Sequence, residues 1–485
     1  MMTVLDIKKR RFPVLPSKLR LSLLGGLMTL AACSVPPWHG NDAHLFVDNL
    51  EPGRQGEILP EDAKKGVLPD PYIKNMRVVG HTGVFDRPGN IQLAWVDHCA
   101  YVSNTIPGLP GGIKKDDPRA GTAVIDVSDP TTPKTVKLLR DKGSINAVET
   151  IHAVDAGDRK VLVAGAYAGG NPMFGPKDPA WLNIYDVSDC TNPKLMAEYQ
   201  WPENAHMITL SADGRRIYGT NQEGFTGRGG IQVLDISNMS QPKFLGKLGV
   251  TDKHGRRWMF ASHEVTVSAD ERRIYAAVTD STGGDMNPGL KDGFSFARMS
   301  PDAGGVYILD NSDIVDGKPN PTLRLLGTVL RGGWHSVMPA NINGVPYLVG
   351  GGELTPCPGA FPKIINMADE TRPFIESEFR LEMNHEENCP AAGSNPMVAL
   401  NTPSATLHFN DVDSAENTRY GLFNFTAAGL RVADLSQPAN PVEVAYFRPG
   451  DLCTGHVRYF PDTGHIWSVC SESGFWVTQL KPALR

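Results

Sequence analysis

Apolar and polar residues alternate along this chain in short runs, and the runs recur in a constant order. The clearest recurring segment reads AVIDVSDPTTP from Ala123, NIYDVSDCTNP from Asn183 and QVLDISNMSQP from Gln232. A fourth copy, YILDNSD from Tyr307, reaches its Asn-Pro after a short insertion, and weaker copies are IINMADETRP from Ile364 and RVADLSQPANP from Arg431. Period-two alternation of this kind predicts a strand. Asp126, Asp186, Asp235, Asp310 and Asp434 close that strand, and a Ser with Asp or Asn makes the turn. The proline then opens another strand without owing the ladder a hydrogen bond. Two further runs precede each copy; the second of them is KVLVAG, RIYGTN, RIYAAV, PYLVGG, YGLFNF or IWSVCS.

Each unit therefore predicts four strands, here called A to D, and units of about 50 to 70 residues with four strands are propeller blades. Seven fit: residues 90–140, 150–200, 204–249, 262–329, 334–381, 405–448 and 455–480. The last has no D strand, whereas NMRVVGHT from Asn75 reads as a D strand with no blade before it. Joining the two closes a ring and leaves no exposed edge. The 50 Gly and 38 Pro supply the turns that such an all-β chain needs.

These copies resemble the LVIVD repeat, a β-propeller blade signature of bacterial and archaeal envelope proteins. The resemblance spans roughly residues 75–480, is degenerate at Asn366 and has no motif as such in the last unit. It implies a fold and an envelope location and says little about chemistry.

Six histidines, His152, His206, His263, His335, His408 and His456, each stand at the start of an A strand. Strand A lines the channel of a propeller, so these imidazoles would gather at one mouth. The long segments 104–120, 167–180, 280–303, 352–361 and 382–404 fall on the same face, while the opposite face has mostly tight turns. Loops on a rigid scaffold are the usual place for function. Neutral imidazole suits Zn, Cu, Fe or Mn. Six cannot all bind one tetrahedral zinc, so the expectation is a four- to six-coordinate divalent transition metal held by a subset, or two ions. Glu149 and Glu203, each three residues before a histidine, would orient imidazoles or act as bases. Glu264, directly after His263, is expected on the other side of its strand. Blade 1 has Asn90 at the ring position, leaving that sector open or differently lined. The competing reading is that duplication copied the histidines and that they only brace blades, as in WD40-type propellers; Gly455-His456 resembles that signature. Against it, no matching Trp stands in strand C.

Residues 1–20 carry Lys8, Lys9, Arg10, Arg11, Lys18 and Arg20, and the apolar run LSLLGGLMTLAA follows. That pattern reads as a signal peptide and is too short to span a bilayer. Leu30-Ala31-Ala32-Cys33 resembles a bacterial lipobox, which implies removal of residues 1–32 and lipidation of Cys33; an ordinary secretory signal is the alternative. Ser34 would fit outer-membrane sorting. Residues 33–73, rich in Pro and Gly, read as a flexible tether, and residues 74–485 as the propeller. The even set Cys99, Cys190, Cys357, Cys389, Cys453 and Cys470 suggests disulfides in an exported chain. Placement on the two faces predicts Cys99–Cys190, Cys357–Cys389 and Cys453–Cys470. A net charge of −6 without a basic stripe argues against a nucleic-acid partner. The expectation is thus a membrane-anchored envelope propeller with a metal at its channel mouth, suited to oxidation or hydrolysis of a small molecule. The alternative is a non-catalytic scaffold whose loop face binds a protein or glycan, its histidines structural.

Overall fold

The computed structural model describes residues 46–59, 70–107, 109, 111–166, 180–202, 205–220, 229–280, 305–330, 334–353, 355–394 and 403–485. Cys33, His39, His44 and Glu203, with most of segments 167–180 and 280–303, lie outside the described residues. Seven sheets, antiparallel except where Val250–Thr251 runs parallel to Leu323–Leu330 in blade 4, form a seven-bladed β-propeller within one compact unit, Trp38–Arg485. Blades 1, 2, 3 and 5 have four strands in sequence order; blade 4 adds Val250–Thr251 and Arg257–Trp258, and blade 6 adds Tyr72–Lys74. The seventh sheet contains Arg458–Phe460, His465–Cys470 and Gly474–Leu480, with Met76–Thr82 paired on the outside. No helix of the described residues is long and apolar enough to cross a membrane.

The Asp motif works as its composition suggests. Asp126, Asp186, Asp235, Asp310 and Asp434 each accept the main-chain N–H two residues on, at 2.8–2.9 Å. Asn366 does the same in the degenerate copy, where Ala368 donates at 2.9 Å. A side-chain acceptor thus starts every one of these C–D turns. The adjoining C–D ladder slips register once in blades 1 to 6, for example between Val124 and Ile125 or between Val432 and Ala433. Such a bulge increases the twist of the outer strand.

Packing between blades follows from the buried face of each strand. One apolar cluster fills each seam, from Tyr101, Leu162 and Tyr185 between blades 1 and 2 to Val79, Leu93 and Trp467 between blades 7 and 1. The A strands of successive blades neighbour one another and so surround the channel. Three disulfides form, Cys99–Cys190, Cys357–Cys389 and Cys453–Cys470, with the pairings read from the sequence. They suit an oxidising compartment outside the cytoplasm.

Part of the stretch read as a tether is docked. Glu51 accepts a hydrogen bond from Arg431 at 2.7 Å, and Arg431 is fully buried with Glu443 at 3.2 Å. Asn49 bridges Ile73, which precedes the outer strand. A buried guanidinium needs such carboxylates, and composition alone gives no sign of them.

Candidate metal centre

The main-chain hydrogen bonds decide which histidines meet. His206, His335 and His408 donate their N–H to the carbonyls of Thr220, Gly351 and Asn424, the last residues of their blades' second strands. They therefore share one register. His263 joins them through an irregularity: Ser262 pairs with Val278 and Val265 with Ala276, so the ladder slips around His263 and Glu264. His152 pairs with Val163, and the position opposite the strand end at Gly165 belongs to Thr150. In blade 7 the strand end Cys470 is bridged by Cys453, so His456 stands three residues further along. Four of the six histidines converge; His152 and His456 do not join them.

Two carboxylates complete the group. Glu149 Oε2 lies 3.3 Å from His206 Nε2 and 3.4 Å from His263 Nε2, and its Oε1 lies 3.2 Å from His408 Nε2. Glu353, from the loop after the second strand of blade 5, places Oε1 3.1 Å from His408 Nε2 and Oε2 3.5 Å from His335 Nε2. His206 and His263 approach to 2.9 Å between Nε2 atoms. Glu149 follows Val148, a β-branched residue held at φ 48°, whose carbonyl accepts the Ser103 hydroxyl. A strained backbone of this kind costs about 1–3 kcal/mol and persists where the surroundings demand it. Here it turns the chain into the channel just before the carboxylate.

The polar atoms of this group are poorly supplied with protein partners. His335 is 1% exposed, and neither ring nitrogen has a hydrogen-bond partner; His263 Nδ1 has none either. His408 is oriented by main chain, its Nδ1 lying 3.0 Å from Thr454 O, which fixes Nε2 toward the carboxylates. A metal-bound imidazole is held from behind in the same way. Burial and the neighbouring His263 push the His206 pKa down to about 4, and burial with His263 and His408 pushes His335 well below its ordinary value. Burial also opposes the charge of Glu149, but the close approach of the His206, His263 and His408 imidazoles outweighs it and holds the carboxyl well below the usual range. In His408 the effect of burial is overcome by Glu353 and Glu149, which raise its pKa to about 10. The result is a buried, imidazole-rich cluster around the Glu149 carboxylate. Its ligand atoms group as Glu149, His206 and His263; Glu149, His335 and His408; and His263, His335 and Glu353, each set within 4.8 Å.

The remaining histidines occupy a second compartment. A pocket on the channel axis is lined from the A segment of every blade, including Leu93, His152, Thr209, Glu264, Met338, Asp411 and His456. His456 Nδ1 lies 3.1 Å from Asp411 Oδ2 and its Nε2 3.1 Å from Glu264 Oε1. Burial would neutralise it, yet Asp411 and Glu264 raise its pKa to about 10. His152 accepts the Leu210 N–H at Nδ1, 3.3 Å away, and burial lowers its pKa to about 4. Glu264 corrects the expectation that it faces away. The bulge beside it puts two successive side chains toward the channel.

Glu353 and Asp411 were not singled out by sequence reasoning. Glu353 stands four residues before Cys357 in a loop with no alternation to orient it, and Asp411 follows His408 by three within the same strand segment. Asn90 is bound by Arg87 and Ser471 and brings no ligand to the group. His98 and His385 are exposed. Trp334 is core; its neighbour alone reaches the site. Two other clusters, around Cys99–Cys190 and Cys453–Cys470, have their sulfurs in disulfides and offer no thiolate.

Fold and site together describe a repeat propeller with a buried histidine–carboxylate group on its channel. A family model for the LVIVD repeat matches residues 226–249, the third and fourth strands of blade 3, in accord with the repeats read from the sequence. Among solved structures, Kuenenia stuttgartiensis hydrazine synthase is similar in fold at 12% identity, covering 81% of this chain and 96% of its own, with a TM-score of 0.45. No curated protein matches the chain in sequence.

Proposed function

We propose that this protein is an exported, metal-binding envelope propeller, with a transition metal held by His206, His263, His335, His408, Glu149 and Glu353. The carrying observation is His335, an almost completely buried imidazole with neither nitrogen hydrogen-bonded, facing the Glu353 carboxylate at 3.5 Å. Leaving a buried polar group unmet costs about 1–3 kcal/mol, and a bound ion beside the facing carboxylate would meet it. Neutral imidazoles with carboxylates suit Zn, Cu, Fe or Mn. When bound, the metal supplies Lewis acidity or redox chemistry. Glu149 and Glu353 would balance its charge, and Thr454 would hold the His408 ring. Small-molecule oxidation or hydrolysis is the activity that this donor set favours.

The pairing of Met76–Thr82 with Gly474–Leu480 supports a ring closed by its N-terminal strand. The lipobox-like segment supports a lipid anchor at Cys33 and an outer-membrane location. Protein exported in a bacterial host and purified without added metal should contain at least one equivalent of transition metal by elemental analysis. A metal-free preparation that also refuses added metal would overturn the reading and leave a non-catalytic scaffold.

A further inference from the structure

We infer that the centre takes two divalent ions bridged by the Glu149 carboxylate. This rests on the metal-binding reading above and divides its ligands between two sites. The division follows from where the two oxygens of Glu149 lie. Oε2 faces His206 and His263 at 3.3 and 3.4 Å, while Oε1 faces His408 at 3.2 Å. Glu353 lies nearest the second set, its oxygens 3.1 Å from His408 and 3.5 Å from His335. One ion would then take His206, His263 and Glu149 Oε2. The other would take His335, His408, Glu353 and Glu149 Oε1.

Size favours the division. First-row ions bind nitrogen and oxygen at about 2.0–2.2 Å, so donors around one ion must lie within about 4 Å of each other. The ligand atoms gather in three overlapping triads within 4.8 Å, of which Glu149 with His206 and His263 and Glu149 with His335 and His408 share only the Glu149 carboxylate. The triad of His263, His335 and Glu353 takes one member from the first set and two from the second, so the sets abut. The His263 and His335 rings lie 3.6 Å apart between centroids. Abutting sets with a shared carboxylate match two-metal sites, whose ions stand about 3.5–4 Å apart. Each ion would have three or four protein ligands and so keep positions for a bridging oxygen donor. Hydroxide, or a small substrate oxyanion, is the ligand class that fits between them.

Titration of the metal-depleted full-length protein with Co2+, followed by calorimetry and low-temperature EPR, tests this. Two equivalents should bind, with the Co2+ signal attenuated by exchange coupling in the doubly loaded protein. His206→Gln should retain one uncoupled equivalent held by the second set, and Glu353→Gln should retain one held by the first. A single equivalent in the unmodified protein would overturn the bridged pair while leaving the metal-binding reading intact; no binding would overturn both. Two equivalents that persist in His206→Gln and in Glu353→Gln alike would overturn the division of ligands. Circular dichroism of each variant separates loss of a ligand from loss of fold.

Discussion

His335 and His456 show how far environment separates two residues of one type. His456 has a carboxylate on each nitrogen, Asp411 and Glu264 at 3.1 Å, and is held as an imidazolium. His335 has neither nitrogen hydrogen-bonded, with the Glu353 carboxylate 3.5 Å from Nε2, and is kept neutral by burial among other imidazoles. The first imidazole has both nitrogens met, and the second is stability withheld. Replacing an unmet buried polar group by an apolar one of similar size removes its desolvation penalty. His335→Leu is therefore expected to stabilise the metal-free protein by about 1–3 kcal/mol in denaturant unfolding. It should also lower metal content. Bracing predicts the reverse sign, since a hydrogen-bonding strut would be lost.

At the scale of elements, the blade is a local object. Alternation chooses the buried face, and the Asp or Asn at the strand end, accepting an N–H two residues later, starts the turn. Both are written in neighbouring residues. The bulge at Ser262–Val265 is not, because it appears only against the paired strand Arg273–Asp280. That single slip brings His263 to the metal group and Glu264 to His456, so one irregular strand serves both compartments. Between blades, Cys99 at the start of a second strand is tied to Cys190 in the following blade's C–D turn, 91 residues away. Closing so long a loop restricts the unfolded chain, and loss of such a link costs about 2–5 kcal/mol. Cys99→Ala with Cys190→Ala should lower the denaturant midpoint accordingly while blade content by circular dichroism stays unchanged. An unaltered midpoint would mean that the bond does not form.

For the whole molecule, the seven seams, the outer strand Met76–Thr82 and the Glu51–Arg431 pair make the N-terminal segment part of the propeller. What precedes it bears on location: the lipobox-like Leu30–Cys33 would tie a rigid ring to a membrane. Cys33→Ser should move the protein from the membrane fraction to the soluble periplasmic or extracellular fraction; continued membrane retention would remove the lipid-anchor proposal. Blade number, strand order and the pairing of all six later cysteines were legible in the sequence, because alternation, turn chemistry and spacing act over a few residues. Which four histidines converge was not legible. Each residue advances about 3.3 Å along a strand, so the two-residue offset of His152, the three-residue offset of His456 and the slip beside His263 sort the six into two compartments. Glu353 and Asp411 joined only when the ring brought separate blades to a common axis, since no local pattern fixes how a loop carboxylate or a neighbouring blade's acid meets a histidine across the channel.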